Sequence, residues 1–125
     1  MSDVRGFGYV NRVKYTPGEK ARLNVSVSES VGKDDNKTYI NYEFTLWENE
    51  ATYYYNLLGE EPKNVVVAFS GYITALTANP SKDGSKIYTS LRLNLHKRFN
   101  NSAFDILPDL RNVKSNVQLA VDDDF

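Results

Sequence analysis

Between Ala21 and Ser28 apolar and polar residues alternate without a break. Ala21, Leu23, Val25 and Val27 take one side, and Arg22, Asn24, Ser26 and Ser28 take the other. A period of two is the mark of a strand with one buried face. It recurs with Ile40, Tyr42, Phe44 and Leu46 against Tyr39, Asn41, Glu43, Thr45 and Trp47. It returns with Ile87, Thr89, Leu91, Leu93 and Leu95 against Tyr88, Ser90, Arg92, Asn94 and His96. Two apolar, β-rich runs complete the set: Gly8 to Tyr15, and Val65 to Leu76, where Gly71 suggests a bend or bulge. Turn signals separate the runs at Tyr15-Thr16-Pro17-Gly18, at the polar stretch "VGKDDNK", and at "NPSKDGSK" with Asp83-Gly84 as the tight point.

The pattern changes once. In "NEATYYYNLLGEEPKN", Ala51, Tyr54, Tyr55 and Leu58 fall at helical spacing, Gly59 is placed to end a helix, and Pro62 follows. Two or three turns fit there. The predicted order is β-β-β-α-β-β, an all-β chain with one short helix. That is the outline of the OB-fold, a five-stranded Greek-key barrel. The barrel is expected over residues 1–99, with a C-terminal tail over 100–125. Phe104, Ile106, Leu107 and Leu110 are left with two options, packing back on the barrel or remaining outside it.

A chain of 125 residues suits one domain with its own core. With no cysteine, disulfides and thiolate chemistry are excluded. The start "MSDVRGFGYV" lacks the basic stretch and apolar core of a signal peptide, and no apolar run is long enough for a membrane span. A cytoplasmic setting, with no membrane partner, is the expectation. The net charge of −1 hides a division: residues 1–103 carry a balance of +2 and residues 104–125 a balance of −3. A basic body with an acidic tip suits a polyanion binder that also recruits partners.

Signals for catalysis are weak. His96 is the only histidine, and it falls on a polar strand face. Gly32-Lys33 is followed by Asp34 and lacks the upstream glycine of a phosphate-cradling loop. Asp34, Asp35 and Asn36 have no bidentate Glu at calcium-loop spacing. No enzyme activity, cofactor or metal is expected.

Binding single-stranded nucleic acid needs aromatic faces for the bases and cations along the phosphates. The chain holds 9 Tyr, 6 Phe and 1 Trp, and several fall on predicted outward faces. Trp47 and Tyr39 share one face of the third strand, and Tyr88 lies outward on the fifth with Arg92 beyond it. Arg12, Lys14, Arg22, Lys33, Lys37, Lys82 and Lys86 lie on strands or loops that border such a surface. These are the candidate DNA-binding residues, Trp47 first among them.

At this point the chain resembles the bacterial single-stranded DNA-binding protein (SSB) family. "GYVNRVKYTPGEKARLNVSVSES" is similar to the family's first hairpin. "YEFTLWENEATYYYNLL" resembles its third strand running into the helix, and "KNVVVAFSGYITA" its fourth strand. "DGSKIYTSLRL" resembles its closing hairpin. The ending "DDDF" resembles its acidic C-terminal tip. The tip lacks the family's Ile-Pro, and a Gly/Gln/Pro-rich linker is missing. Such divergence and brevity suggest a phage- or mobile-element-encoded member. The resemblance implies sequence-independent coating of single-stranded DNA in replication, recombination and repair, near the nucleoid. It also implies a tetramer or dimer, and partner proteins docking on Asp122, Asp123, Asp124 and Phe125. The alternative is an OB-fold adaptor for replication or recombination proteins with little or no DNA affinity.

Overall fold

The computed structural model describes residues 2–32 and 38–107. Its elements are β1 (Asp3–Thr16), β2 (Arg22–Val31), β3 (Thr38–Trp47), α1 (Glu48–Leu58), β4 (Val66–Pro80) and β5 (Ile87–Leu95). Three short strands follow: β6 (Lys97–Arg98), β7 (Asn101–Ser102) and β8 (Phe104–Leu107). The alternating segments pair in the order β1-β2-β3-β5-β4, and β4 returns to β1. Closure removes the free edges that an open sheet would expose. Among the described strands the β3–β5 pairing alone is parallel, and α1 with β4 makes the connection between its two strands. This is an OB-like all-β barrel with its helix between the third and fourth strands, as the patterning implied.

Closure depends on β1 serving two neighbours. Asp3 to Tyr9 pairs with Tyr72 to Val66 of β4, and Tyr9 to Thr16 pairs with Ser28 to Arg22 of β2. A one-residue irregularity between Val10 and Arg12 turns the strand from one partner to the other. Gly8 sits just before that corner, where a Cβ would run into the Ser28 carbonyl. In β4 the register shifts between Ile73 and Ala75 instead of at Gly71. Gly71 has another duty: its missing side chain makes room for the Asn94 carbonyl of the neighbouring strand.

The inward faces form one core. Leu23, Val25, Val27, Phe44, Leu46, Val67, Leu93 and Phe104 are fully buried, and burying such side chains stabilises by about 1.5–3 kcal/mol each. Phe44 is the hub, with ring centroids 5.3 Å from Phe69 and 5.5 Å from Phe104. Helix α1 closes the barrel end with Ala51 and Leu58. Tyr55 stacks on Tyr15 at 4.3 Å, and Tyr54 packs edge-on to Phe104 at 4.8 Å. The helix stops at Gly59, which still donates its N–H to the Tyr55 carbonyl at 2.8 Å and whose φ of 75° then turns the chain out of the helix.

Two features go beyond the alternation pattern. The β4–β5 hairpin continues past the barrel as an arm, so Ile87, which has the core parity of β5, and Leu76, which the register shift brings opposite Leu91, are each 63% exposed. There the sheet has outrun the layer it would pack against. The chain past Phe99 also stays with the barrel as far as Leu107. Strand β8 pairs with Val66 to Phe69 of β4, on the edge that β5 occupies further along, and buries Phe104. Backbone bonds from His96 N–H to the Ser70 carbonyl (2.9 Å) and from Ser70 N–H to the Ala103 carbonyl (3.0 Å) bridge the gap. Strands β5 and β8 thus act as one interrupted strand, with the β6–β7 hairpin as an excursion from it. Among the described residues no helix is long and apolar enough to cross a membrane.

Candidate nucleic-acid interface

Because β3 alternates strictly, burying Tyr42, Phe44 and Leu46 forces Tyr39, Asn41, Glu43, Thr45 and Trp47 outward. The neighbouring registers extend this outer face sideways. Trp47 stands opposite Arg22 of β2, Thr45 opposite Asn24, and Glu43 opposite Ser26 and Arg92. On the far side of β2, Arg12 is paired with Ser26 and Lys14 with Asn24. Tyr39 and Tyr88 each lie one residue beyond the Ile40–Thr89 pair, so the parallel register places them side by side.

The face has three zones. At one end Trp47 is 53% exposed. It borders a groove of about 490 Å³ shared with Thr45, Tyr72, Arg92, Asn94, His96 and Lys97. In the middle, Arg12, Lys14 and Arg92 surround a second depression that also contains Asn24, Ser26 and Glu43. At the other end Tyr39 and Tyr88 are about half exposed, and Tyr88 shares a shallow depression with Lys82 and Lys86 of the arm. From Tyr39 to Trp47 the strand runs roughly 26 Å at ~3.3 Å per residue. That length is in keeping with the ~4–16 nucleotides that one OB fold tracks.

Hydrogen bonds hold the middle zone in shape. The Arg92 guanidinium donates to the Thr45 hydroxyl at 3.1 Å, and that hydroxyl donates to the Asn24 side-chain oxygen at 2.7 Å. Asn41 donates to the Glu43 carboxylate at 3.3 Å. Glu43 therefore introduces a negative charge among the cations. At the arm, the Asp83 carboxylate accepts bonds from the Ser81 and Ser85 hydroxyls and from the Ser85 N–H. These bonds hold its pKa well below the usual carboxylate range, and they lock the turn that carries Lys82 and Lys86.

Of the sequence candidates, Trp47, Tyr39, Tyr88, Arg12, Lys14, Arg22, Arg92, Lys82 and Lys86 thus belong to one surface made by β1, β2, β3, β5 and the arm. Lys33, Lys37, Asp122, Asp123, Asp124 and Phe125 lie outside the described residues. The groove beside Trp47 adds Tyr72 and Asn94, joined by a bond of 3.1 Å from the Asn94 amide to the Tyr72 hydroxyl. Tyr72 was within reach of the sequence, since Val67, Phe69 and Gly71 set the inward parity of β4 and leave Tyr72 outside.

His96 is paired with Asp3, its Nε2 lying 3.1 Å from the Asp3 Oδ1, which ties the start of β1 to the end of β5. Among the described residues no three His, Asp or Glu side chains converge as a metal site would require. No protein-family model matches the chain, and a comparison with curated proteins finds no match.

Proposed function

We propose that this chain binds single-stranded DNA without reading its sequence, through the outer face centred on β3. The observation that carries this reading is the juxtaposition of exposed aromatic rings and cations on one continuous surface: Trp47 with Arg22 at one end, and Tyr39 and Tyr88 with Lys82 and Lys86 at the other. Bases would stack on the rings, each contributing roughly 1–3 kcal/mol, while Arg12, Lys14 and Arg92 neutralise phosphates between them. Sequence independence follows because stacking uses the π-face that every base has. The protein would act stoichiometrically in replication, recombination or repair, as a dimer or tetramer near the nucleoid. Asp122 to Phe125 would recruit partner proteins through an aromatic anchor with flanking charge.

Quenching of Trp47 fluorescence by oligo-dT at several salt concentrations tests the reading, using the full chain and a version lacking Asp122 to Phe125. Salt-sensitive quenching that is as strong or stronger without the tip supports DNA binding at Trp47 and assigns the tip to partners. If neither quenching nor a gel shift occurs, the DNA reading fails and the adaptor alternative takes its place.

A further inference from the structure

The β6–β7 hairpin turns on two residues, Phe99 and Asn100, between the paired Arg98 and Asn101. Phe99 has a φ of 57° while Asn100 is not left-handed. That is the sign pattern of a type II′ turn, whose first central position is ordinarily glycine. A bulky aromatic adopts this backbone only where its surroundings enforce it. Phe99 also gains nothing from burial: its side chain is completely exposed, the most exposed large apolar residue described. The turn residue is wrong for the turn, and the aromatic is wrong for the surface.

The base of the hairpin is firmly held. The Glu50 carboxylate accepts from Ser102 N–H (3.0 Å) and from the Ser102 hydroxyl (2.9 Å), and Lys97 Nζ lies 3.6 Å from it. On the other side Arg98 donates to Asp105 at 3.0 Å. Ala103 N–H bonds back to the His96 carbonyl at 2.7 Å, closing the excursion where it leaves the barrel. Phe99 is thus presented by a braced support. That support adjoins the Trp47 groove, whose wall includes His96, Lys97 and Ser102, and Lys97 remains largely exposed there. Phe99 lies two residues further out, roughly 7 Å along the strand.

We propose that Phe99 is an additional stacking residue that extends the single-strand path beyond Trp47, with Lys97 meeting the phosphate between the two rings. This rests on the single-strand reading above. A base on Phe99 covers the exposed ring and gives the strained turn its function.

The test uses the full chain and labelled oligo-dT. Phe99→Gly gives the turn its preferred residue, so it should leave Tm unchanged or raised while weakening binding about 5- to 100-fold. A Trp47→Phe, Phe99→Trp double variant moves the only tryptophan to the β6–β7 turn, and its emission should be quenched by oligo-dT. If Phe99→Gly binds like the parent while Trp47→Ala loses affinity, the Phe99 proposal is overturned and the broader reading survives. If the parent does not bind, both fall. Loss of an oligomer in Phe99→Gly with DNA affinity intact would assign Phe99 to contact with a second copy of the chain and overturn the proposal too.

Discussion

Strand β3 carries two different surfaces on one backbone. Inward, Tyr42, Phe44 and Leu46 meet side chains from β2, β4, β5 and β8, and almost none of their area reaches solvent. Outward, Tyr39 and Trp47 keep about half of theirs. The aromatic content is similar on both sides, so hydrophobicity alone does not separate fold from site. What separates them is whether a neighbour covers the ring. An inward ring has found its partner in the folded chain. An outward ring at the same spacing still lacks one, and a base is a partner of suitable shape.

This contrast can be broken by substitution. Phe44→Ala should cost about 3–5 kcal/mol of stability in urea unfolding, because it empties the centre of the aromatic core. DNA affinity of the folded fraction should hardly change, and a cost near zero would mean that the core is not organised around Phe44. Trp47→Ala should do the reverse. Binding should weaken by about 1–3 kcal/mol in a titration, while the unfolding midpoint stays close to the parent because no packed core group is removed.

Tyr42 sharpens the inward side. Burial, with help from Glu29, pushes its hydroxyl from the ordinary value of 10 up to about 12. A raised pKa means that the fold prefers the neutral phenol. Its contribution is therefore fully present below pH 10 and is lost as the pH rises toward about 12. Tyr42→Phe should flatten that part of the alkaline unfolding curve, read by circular dichroism, and an unchanged curve would place the alkaline sensitivity elsewhere. The smallest expected effect lies on the outward side. Glu43→Gln removes the carboxylate from between Arg12 and Arg92, and should tighten binding about two- to fivefold at low salt. Weaker binding would show Glu43 to be positioning the cations instead of opposing phosphate.

Much of this was legible because both faces of β3 obey one rule. Strict alternation identified Tyr42, Phe44 and Leu46 as core, and the same parity put Tyr39 and Trp47 outside. Gly59 ended the helix for a local reason that sequence displays directly. Other features depend on distant partners. Parity assigned Ile87 to the core, but only the closed barrel shows that the arm has passed beyond it. Phe104 carried no strand signal of its own; its place comes from the free edge of β4 and the space beside Phe44 and Tyr54. Gly71 reads as a bend because strand glycines often mark one, whereas the Asn94 carbonyl that needs its space belongs to another strand. Phe99 resisted reading most completely, since a left-handed turn with an aromatic in glycine's place follows no local preference.

The double pairing of β1 also bears on how the chain acquires its fold. Half of β1 cannot be paired until β4 has been made. Thr16 to Tyr9 can zip onto β2 within a local hairpin, but Asp3 to Tyr9 must wait for Val66 to Tyr72. Loops that long are entropically costly to close before they gain contacts, which makes such barrels slow folders, on the order of milliseconds to seconds. At about 5–20 residues per second of synthesis, that half-strand spends seconds unpaired, with Phe7 and Tyr9 on it. The irregularity at Val10–Arg12 then acts as a hinge in time as well as in space, dividing β1 into an early half and a late half.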